Sequence, residues 1–199
     1  WQLESVVPYV QGKIILSDDS FFGTLCAISP RPAQVSRPEI GAMFKLYPWE
    51  DMFREDYAAK VKGSKTIFLE PAWKALVSNK AILPVLWQMF PGHPNLLPAY
   101  FAADLAAGIV PGAAEALAAG SVIKPLFSRE GASIRIIEGG VETEASGNAA
   151  YDDHPKIVQA YHPLPVLGGM RPVIGAWVVG EDCVGMGLRE DASRITQDL

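Results

Sequence analysis

Glycine and proline interrupt this sequence from end to end. The 199 residues include 18 Gly and 16 Pro, together about 17% of the chain, whereas about 12% is usual. Because both residues end regular elements, the chain can form only short helices and strands joined by many turns. Its 49% hydrophobic content is nevertheless too high for a disordered protein, and its length suffices for a buried core in one large or two small domains.

Charge and cysteine content narrow the class of protein. A net charge of −5, spread over 17 basic and 22 acidic residues, argues against nucleic acid or an anionic membrane surface as the main partner. No apolar run reaches the length of about 18 residues that a membrane helix needs. Cys26 and Cys183 cannot form a disulfide framework, so we expect a reducing compartment and a cytoplasmic location. The chain starts at Trp1 and lacks a clear terminal element, which we interpret as part of a longer protein.

The pattern of apolar residues changes along the chain. In the first half we predict strands at 13–16, 21–28 and 65–69, a helix at 51–61, a two-piece helical segment at 73–90 and short helices in 102–119. Ser78 is the predicted N-cap of the second helical piece. In the second half we predict strands at 122–124, 133–137, 156–161, 173–179 and 183–188. This order of elements predicts an α+β fold whose C-terminal half is a mostly antiparallel sheet.

A lysine and a short loop form the first candidate site. Pro125 forces Lys124 into the extended region, so Lys124 is expected at the end of a strand. The following loop at 128–132 contains a glycine and can lay backbone N–H groups against phosphate oxygens, with Arg129 beside them. The alternative is a surface hairpin with a solvated Arg129–Glu130 pair.

Other candidates lie elsewhere in the chain. Lys80 is predicted near a helix start, where the helix dipole disfavours a cation, so it has a functional role or extends into solvent. Gln159, Ala160 and Tyr161 end a strand before a proline-stiffened linker. They can offer backbone groups to a purine edge, or they are an ordinary strand end. Arg189 precedes two acidic residues, and it clamps a phosphoryl group or pairs at the surface.

The remaining reactive or aromatic residues are expected to be structural. Cys183 lies in an apolar strand and is predicted to be an inert core residue. Trp49, Trp73, Trp87 and Trp177 are predicted to pack in the core or at an interface. The histidines show no metal-ligand spacing, so we predict no metal-binding residue in this chain.

Seven stretches of the sequence, taken in order, share a further feature. They are 44–50, 70–81, 90–101, 124–132, 159–161, 171–177 and 187–191. Together they resemble the synthetase domain of glutathionylspermidine synthase and its single-domain relatives, which have an ATP-grasp fold. The resemblance covers about residues 40–196. It implies that residues 1–70 are an incomplete N-terminal and central part of that domain, and that 71–199 are its nucleotide-binding region.

The resemblance also implies an activity. Such enzymes hold ATP between two α+β lobes, phosphorylate a carboxylate and let an amine attack the acyl phosphate, which gives an amide. The implied substrates are a carboxylate of a glutathione-like peptide and a polyamine-like amine. An alternative is an ATP-grasp-like protein that binds nucleotide without ligase activity. The chain contains no amidase domain, and its alanine-rich segment at 102–119 looks longer than is usual in the family.

Residue roles follow from the resemblance for the phosphate-binding part of the site. Lys80 and Lys124 would contact the nucleotide phosphates. Arg129, Glu130 and Gly131 would belong to the loop that covers those phosphates. Arg129 would also take part in catalysis, as one of four cations that converge on a triphosphate and an acyl phosphate.

The remaining roles concern the adenine ring, the intermediate and the metal. Gln159, Ala160 and Tyr161 would receive adenine, and Arg189 would stabilise the phosphorylated intermediate. The magnesium ligands of the family come from a motif upstream of the stretch at 44–50. No such motif occurs in this sequence, so we expect the Mg²⁺ ligands outside it.

Overall fold

A computed structural model of the protein describes residues 41–44, 46–56 and 58–197. The predicted strands at 13–16 and 21–28 lie outside these residues. The chain divides into two compact units between Ser78 and Asn79. This division does not test the predicted domain boundary at residue 70, which stays a prediction. None of the helices in the described ranges has the length and apolar character needed to span a bilayer.

The first unit contains short elements, as the glycine and proline content of the chain predicts. They are β1 (Ala42–Phe44), α1 (Trp49–Met52), α2 (Ala58–Val61), β2 (Ile67–Leu69) and a 3₁₀ helix (Ala72–Leu76). β1 and β2 pair in parallel, with Met43 opposite Phe68. The single helix predicted at 51–61 is wrong: two helices of four residues occupy this region.

Trp49 is the centre of the first unit. Its side chain is buried and lies against the rings of Phe53 and Phe68, whose centroids are 5.2 and 5.1 Å from its own. The indole N–H donates a hydrogen bond of 3.1 Å to the Glu70 carbonyl oxygen. This agrees with the predicted packing role of Trp49. Trp73, by contrast, is 60% exposed, so it does not pack in the core of the described residues, and its packing at an interface stays a prediction.

The second unit begins with helices. They are α3 (Ile82–Met89), α4 (Ala102–Ala106) and α5 (Ala113–Ala116), with strand β3 (Ala99–Phe101) directly before α4. The predicted N-cap at Ser78 is wrong. The Asn79 side chain instead accepts a hydrogen bond from the Ala81 N–H at 2.8 Å, and α3 starts at Ile82. Asn79 therefore shapes the turn that places Lys80 immediately before the helix.

A five-stranded antiparallel sheet forms the core of the second unit. Its further strands are β4 (Ser121–Pro125), β5 (Arg135–Glu138), β6 (Val141–Ala145) and β7 (Lys156–Ala160). The order is β3-β7-β4-β5-β6, and the pairings between neighbours are antiparallel. Ile136, Ile157 and Ala99 are fully buried in this sheet. The α+β class and the mostly antiparallel sheet are confirmed.

The last two strands form a separate hairpin. β8 (Arg171–Val179) pairs with β9 (Asp182–Asp191) in a two-stranded sheet. Apolar side chains of this hairpin are exposed: Ile174, Trp177, Val178, Val179, Val184, Met186 and Leu188. Cys183 is exposed as well. The predicted core position of Cys183 is therefore wrong, because an apolar strand in a two-stranded sheet does not by itself acquire a covered face. Trp177 is 69% exposed, so of its two predicted roles only packing at an interface stays a prediction.

Candidate functional site

Lys80 is anchored to the loop that follows β4. Its backbone N–H donates to the Leu126 carbonyl at 2.9 Å. Its Nζ donates to the Ser128 carbonyl at 2.9 Å and to the Ser128 hydroxyl at 2.8 Å. Burial, and after it the positive charges of Lys124 and Arg129, together lower the pKa of Lys80 to about 8. The structure thus brings together three of the cations that the sequence proposes.

Lys124 lies on β4, on the face of the sheet that holds the buried core. It stands opposite Ile157 of β7, and its Nζ donates to the side-chain oxygen of Gln159 at 2.8 Å. Burial lowers the pKa of Lys124. Gln159 is only 7% exposed. Two lysines that are desolvated and repel each other are electrostatically unfavourable in the free protein, and a bound polyanion would relieve this.

The loop at 128–132 contains a tight turn. The Ala132 N–H donates to the Arg129 carbonyl at 2.9 Å, and the two residues between have positive φ, 53° at Glu130 and 69° at Gly131. Two successive left-handed residues are the geometry of a type I′ turn. Glu130 adopts it without being glycine, which costs backbone strain of the kind found at binding sites.

The backbone N–H groups of the segment from Gln159 to Tyr161 are bound to carbonyl groups of neighbouring segments. The Ala160 N–H donates to the Pro98 carbonyl at 2.8 Å, and the Tyr161 N–H donates to the Gly120 carbonyl at 2.9 Å. These two N–H groups therefore hold the fold together. An adenine ring placed here would have to use other groups of the segment.

Arg189 lies in a different part of the second unit. It is exposed on β9, opposite Val173, and so belongs to the hairpin rather than to the five-stranded sheet that carries Lys124. The structure therefore joins Lys80, Lys124 and Arg129, and joins Gln159 to them through Lys124. It leaves Arg189 on a second element.

Two parts of this region were missed by the sequence analysis. Ser128 binds the Lys80 ammonium group through both its carbonyl and its hydroxyl oxygen. The segment Asp191–Gln197 packs against Gly131, and its Arg194 binds carboxylates on β5 and β6. Ser128 could have been found, because it belongs to the loop at 128–132 that the sequence analysis selected. The contacts of Arg194 span about fifty residues and have no local sequence signature.

The described residues do not supply a site for a metal ion. Within 41–44, 46–56 and 58–197, no three His, Cys, Asp or Glu side chains come together in a way that could hold one. We therefore assign no step of a reaction to magnesium held by these residues.

The fold and the site define a class of protein: an α+β domain with a cation cluster suited to phosphate groups beside an antiparallel sheet. Comparison of the sequence with known families shows to which family the chain belongs. The family described as glutathionylspermidine synthase preATP-grasp matches residues 31–199, and the chain belongs to that family. The predicted resemblance is confirmed.

Similar proteins carry related names. A protein of Haemophilus influenzae, provisionally named an acid–amine ligase, is 42% identical over 167 residues, which cover 79% of this chain and 39% of that protein. Trypanothione synthetase of Crithidia fasciculata is 33% identical over 162 residues, covering 81% and 23%. The bifunctional glutathionylspermidine synthetase/amidase of Escherichia coli is 28% identical over 131 residues, covering 66% and 20%. The chain thus spans well under half the length of each of these relatives.

Proposed function

We propose that this chain is the nucleotide-binding part of an ATP-dependent carboxylate–amine ligase with an ATP-grasp fold. The observation that carries the proposal is the convergence of Lys80, Lys124 and Arg129, two of them lysines whose pKa values burial lowers. A triphosphate is the common metabolite group with enough negative charge to offset such a cluster. The names of the relatives, which are synthetases and an acid–amine ligase, support the choice of a ligase.

The proposed reaction has two steps. A carboxylate oxygen attacks the γ-phosphorus of ATP, so that ADP leaves and an acyl phosphate forms. An amine then attacks the acyl carbon, the C–O bond to phosphate breaks, and the amide, inorganic phosphate and a proton are released. The substrates that fit the relatives' names are a glutathione-like peptide carboxylate and a polyamine-like amine.

Each residue of the cluster has a task in this proposal. Lys80 and Lys124 bind the phosphates, which are already charged in the ground state. Arg129 lies in the turn that also contains Glu130 and Gly131, and it contacts the phosphoryl group during its transfer. Cations placed in advance lower the barrier because they need not reorganise as charge develops. The Gln159–Tyr161 segment borders the adenine ring, and Arg189 stabilises the acyl phosphate.

Isotope transfer tests the reaction directly. The intact protein is incubated with ATP, a polyamine and glutathione whose carboxylates carry heavy oxygen. We expect amide formation with equal release of ADP and phosphate, and one heavy oxygen in each phosphate, because the acyl phosphate C–O bond is the one that breaks. If the protein binds ATP but the two substrates together cause no release of phosphate, the alternative is favoured: a nucleotide-binding protein without ligase activity. Phosphate free of heavy oxygen would exclude the acyl phosphate.

The Lys80 pKa predicts a pH dependence of nucleotide binding. In the free protein Lys80 loses its proton near pH 8, and bound phosphates stabilise the protonated form. Binding above this pH must therefore take up a proton, so ATP affinity should fall as pH rises through 8, by at most about tenfold per pH unit. Titration calorimetry in buffers of different ionisation enthalpy measures both the affinity and the proton uptake.

Arginine substitutions provide the control for this prediction. Lys80→Arg keeps a positive charge at every accessible pH, so its ATP affinity should lose the decline above pH 8. Lys156→Arg changes a lysine of the same sheet, whose Nζ donates to the His154 carbonyl at 3.3 Å, and should keep the wild-type profile. If Lys80→Arg and the wild type show the same decline, Lys80 does not contact the phosphates.

A further inference from the structure

The segment Asp191–Gln197, which begins two residues after Arg189, closes on a buried carboxylate. One Asp191 oxygen accepts the Ser193 N–H at 2.7 Å, and the other accepts the Gln197 N–H at 3.0 Å. These bonds, the one from Ser193 first, hold the pKa of Asp191 below its usual range. The segment is therefore a loop with a defined shape that its own hydrogen bonds maintain.

This segment lies against the Arg129–Ala132 turn at Gly131. A Cβ atom on Gly131 would come within 2.7 Å of the Thr196 carbonyl oxygen and 2.9 Å of Ile195 Cγ2. Ile195 and Ala132 are both buried. Gly131 is thus constrained twice, by its φ of 69° and by a contact that only glycine permits.

Arg194 fixes the same segment to the five-stranded sheet. Its Nε donates to Glu144 at 2.6 Å, its Nη1 donates to Glu138 at 2.7 Å, and its Nη2 donates to the Thr143 hydroxyl at 3.0 Å. Its guanidinium also lies 5.7 Å from the centre of the Tyr161 ring. One side chain therefore joins the segment both to the β5–β6 hairpin and to the proposed adenine-binding segment.

We propose that Asp191–Gln197 is a positioning segment: it holds the Arg129–Ala132 turn in its phosphate-binding shape through the contact at Gly131, and Arg194 fixes it in place. The inference rests on the proposed function, because it assigns a task to a turn that is said to bind phosphate. Because the turn is already held in the shape that binds phosphate, no binding free energy is used to order it when ATP binds. Losing that support lowers the fraction of competent protein and weakens the apparent affinity by the same factor.

Substitution of Gly131 tests the contact. Gly131→Ala should raise the ATP dissociation constant of the intact protein by about tenfold, because the added methyl group pushes Thr196 and the turn apart. Gly139→Ala is the matched control. Gly139 has a φ of 58° and open space around the position of a Cβ, so it carries the same backbone strain without the contact. Its ATP affinity should stay at the wild-type value.

Substitution of Arg194 tests the anchor. Arg194→Gln should also raise the ATP dissociation constant about tenfold, and Arg194→Lys should recover part of the loss, because one ammonium group can pair with only one of the two carboxylates. Arg135→Gln removes the exposed ion pair to Glu142, 3.6 Å long, from the same hairpin. This control should leave ATP affinity unchanged.

The outcomes separate the inference from the function on which it rests. Thermal unfolding without nucleotide measures any purely structural damage, and ATP titration measures the positioning effect. A lower unfolding temperature with unchanged ATP affinity in both Gly131→Ala and Arg194→Gln overturns the positioning role. A wild-type protein that does not bind ATP overturns the proposed function instead. Should Arg194→Gln fail to fold, Gly131→Ala alone decides the question.

Discussion

Replacing Arg189 with alanine is expected to lower the rate of amide formation by about 10²–10³-fold in the intact protein, with little change in ATP affinity. Arg189 is proposed to meet charge that develops on the transferred phosphoryl group and the acyl phosphate. An interaction made mainly in the transition state is lost from turnover rather than from ground-state binding. Steady-state kinetics with saturating substrates, together with a separate titration of ATP, measure the two effects.

The hairpin supplies the control for this experiment. Glu190 is the next residue along β9 and stands opposite Pro172, so it lies on the other face of the hairpin from Arg189. Glu190→Ala removes a charge from the same strand and should keep turnover close to that of the wild type. Near-normal turnover in Arg189→Ala would instead show that Arg189 is a surface arginine, and the role given to it here would be withdrawn.

The elements of the second half could be predicted because their signals are local. The residues at 122–124, 156–161 and 173–179 are mostly apolar and are followed within two positions by glycine or proline. Strands occupy all three places. β6 was missed because its sequence, Val141–Ala145, carries two glutamates and has an exposed pattern. The two glycines that precede it, both with positive φ, are nevertheless a recognisable hairpin turn.

The parts of the site that could not be predicted depend on long-range pairing. Lys80 and Ser128 are 48 residues apart, and Lys124 and Gln159 are 35 apart, so neither hydrogen bond follows from local pattern. The resemblance to a family selected candidate residues without giving their contacts, and the structure brings three of them, Lys80, Lys124 and Arg129, near one another. Burial of Cys183 in the hairpin was mispredicted for a related reason. Apolar composition says that a strand can be covered, but only the arrangement of the other elements decides whether it is.

The second large effect is expected at Lys124. Lys124→Met keeps the length and apolar stem of the side chain but removes the charge, and it should weaken ATP binding by about a hundredfold. The effect is large because the lysine is desolvated, so its charge interacts strongly with the phosphates and water cannot replace it. Binding should suffer more than turnover at saturating ATP, since the phosphates carry their charge before the reaction begins.

Lys156 is the matched control for this substitution, because it lies on the strand next to Lys124. It stands opposite Pro125, and successive residues of a strand point to opposite faces, so Lys156 lies on the face away from Lys124. Lys156→Met removes an equal charge from the same sheet and should change ATP affinity little. Equal losses in both variants would mean that net charge rather than a specific contact governs binding. An unchanged affinity in Lys124→Met would mean that its ammonium group serves only to bind Gln159, and the phosphate site would then have to be sought away from β4.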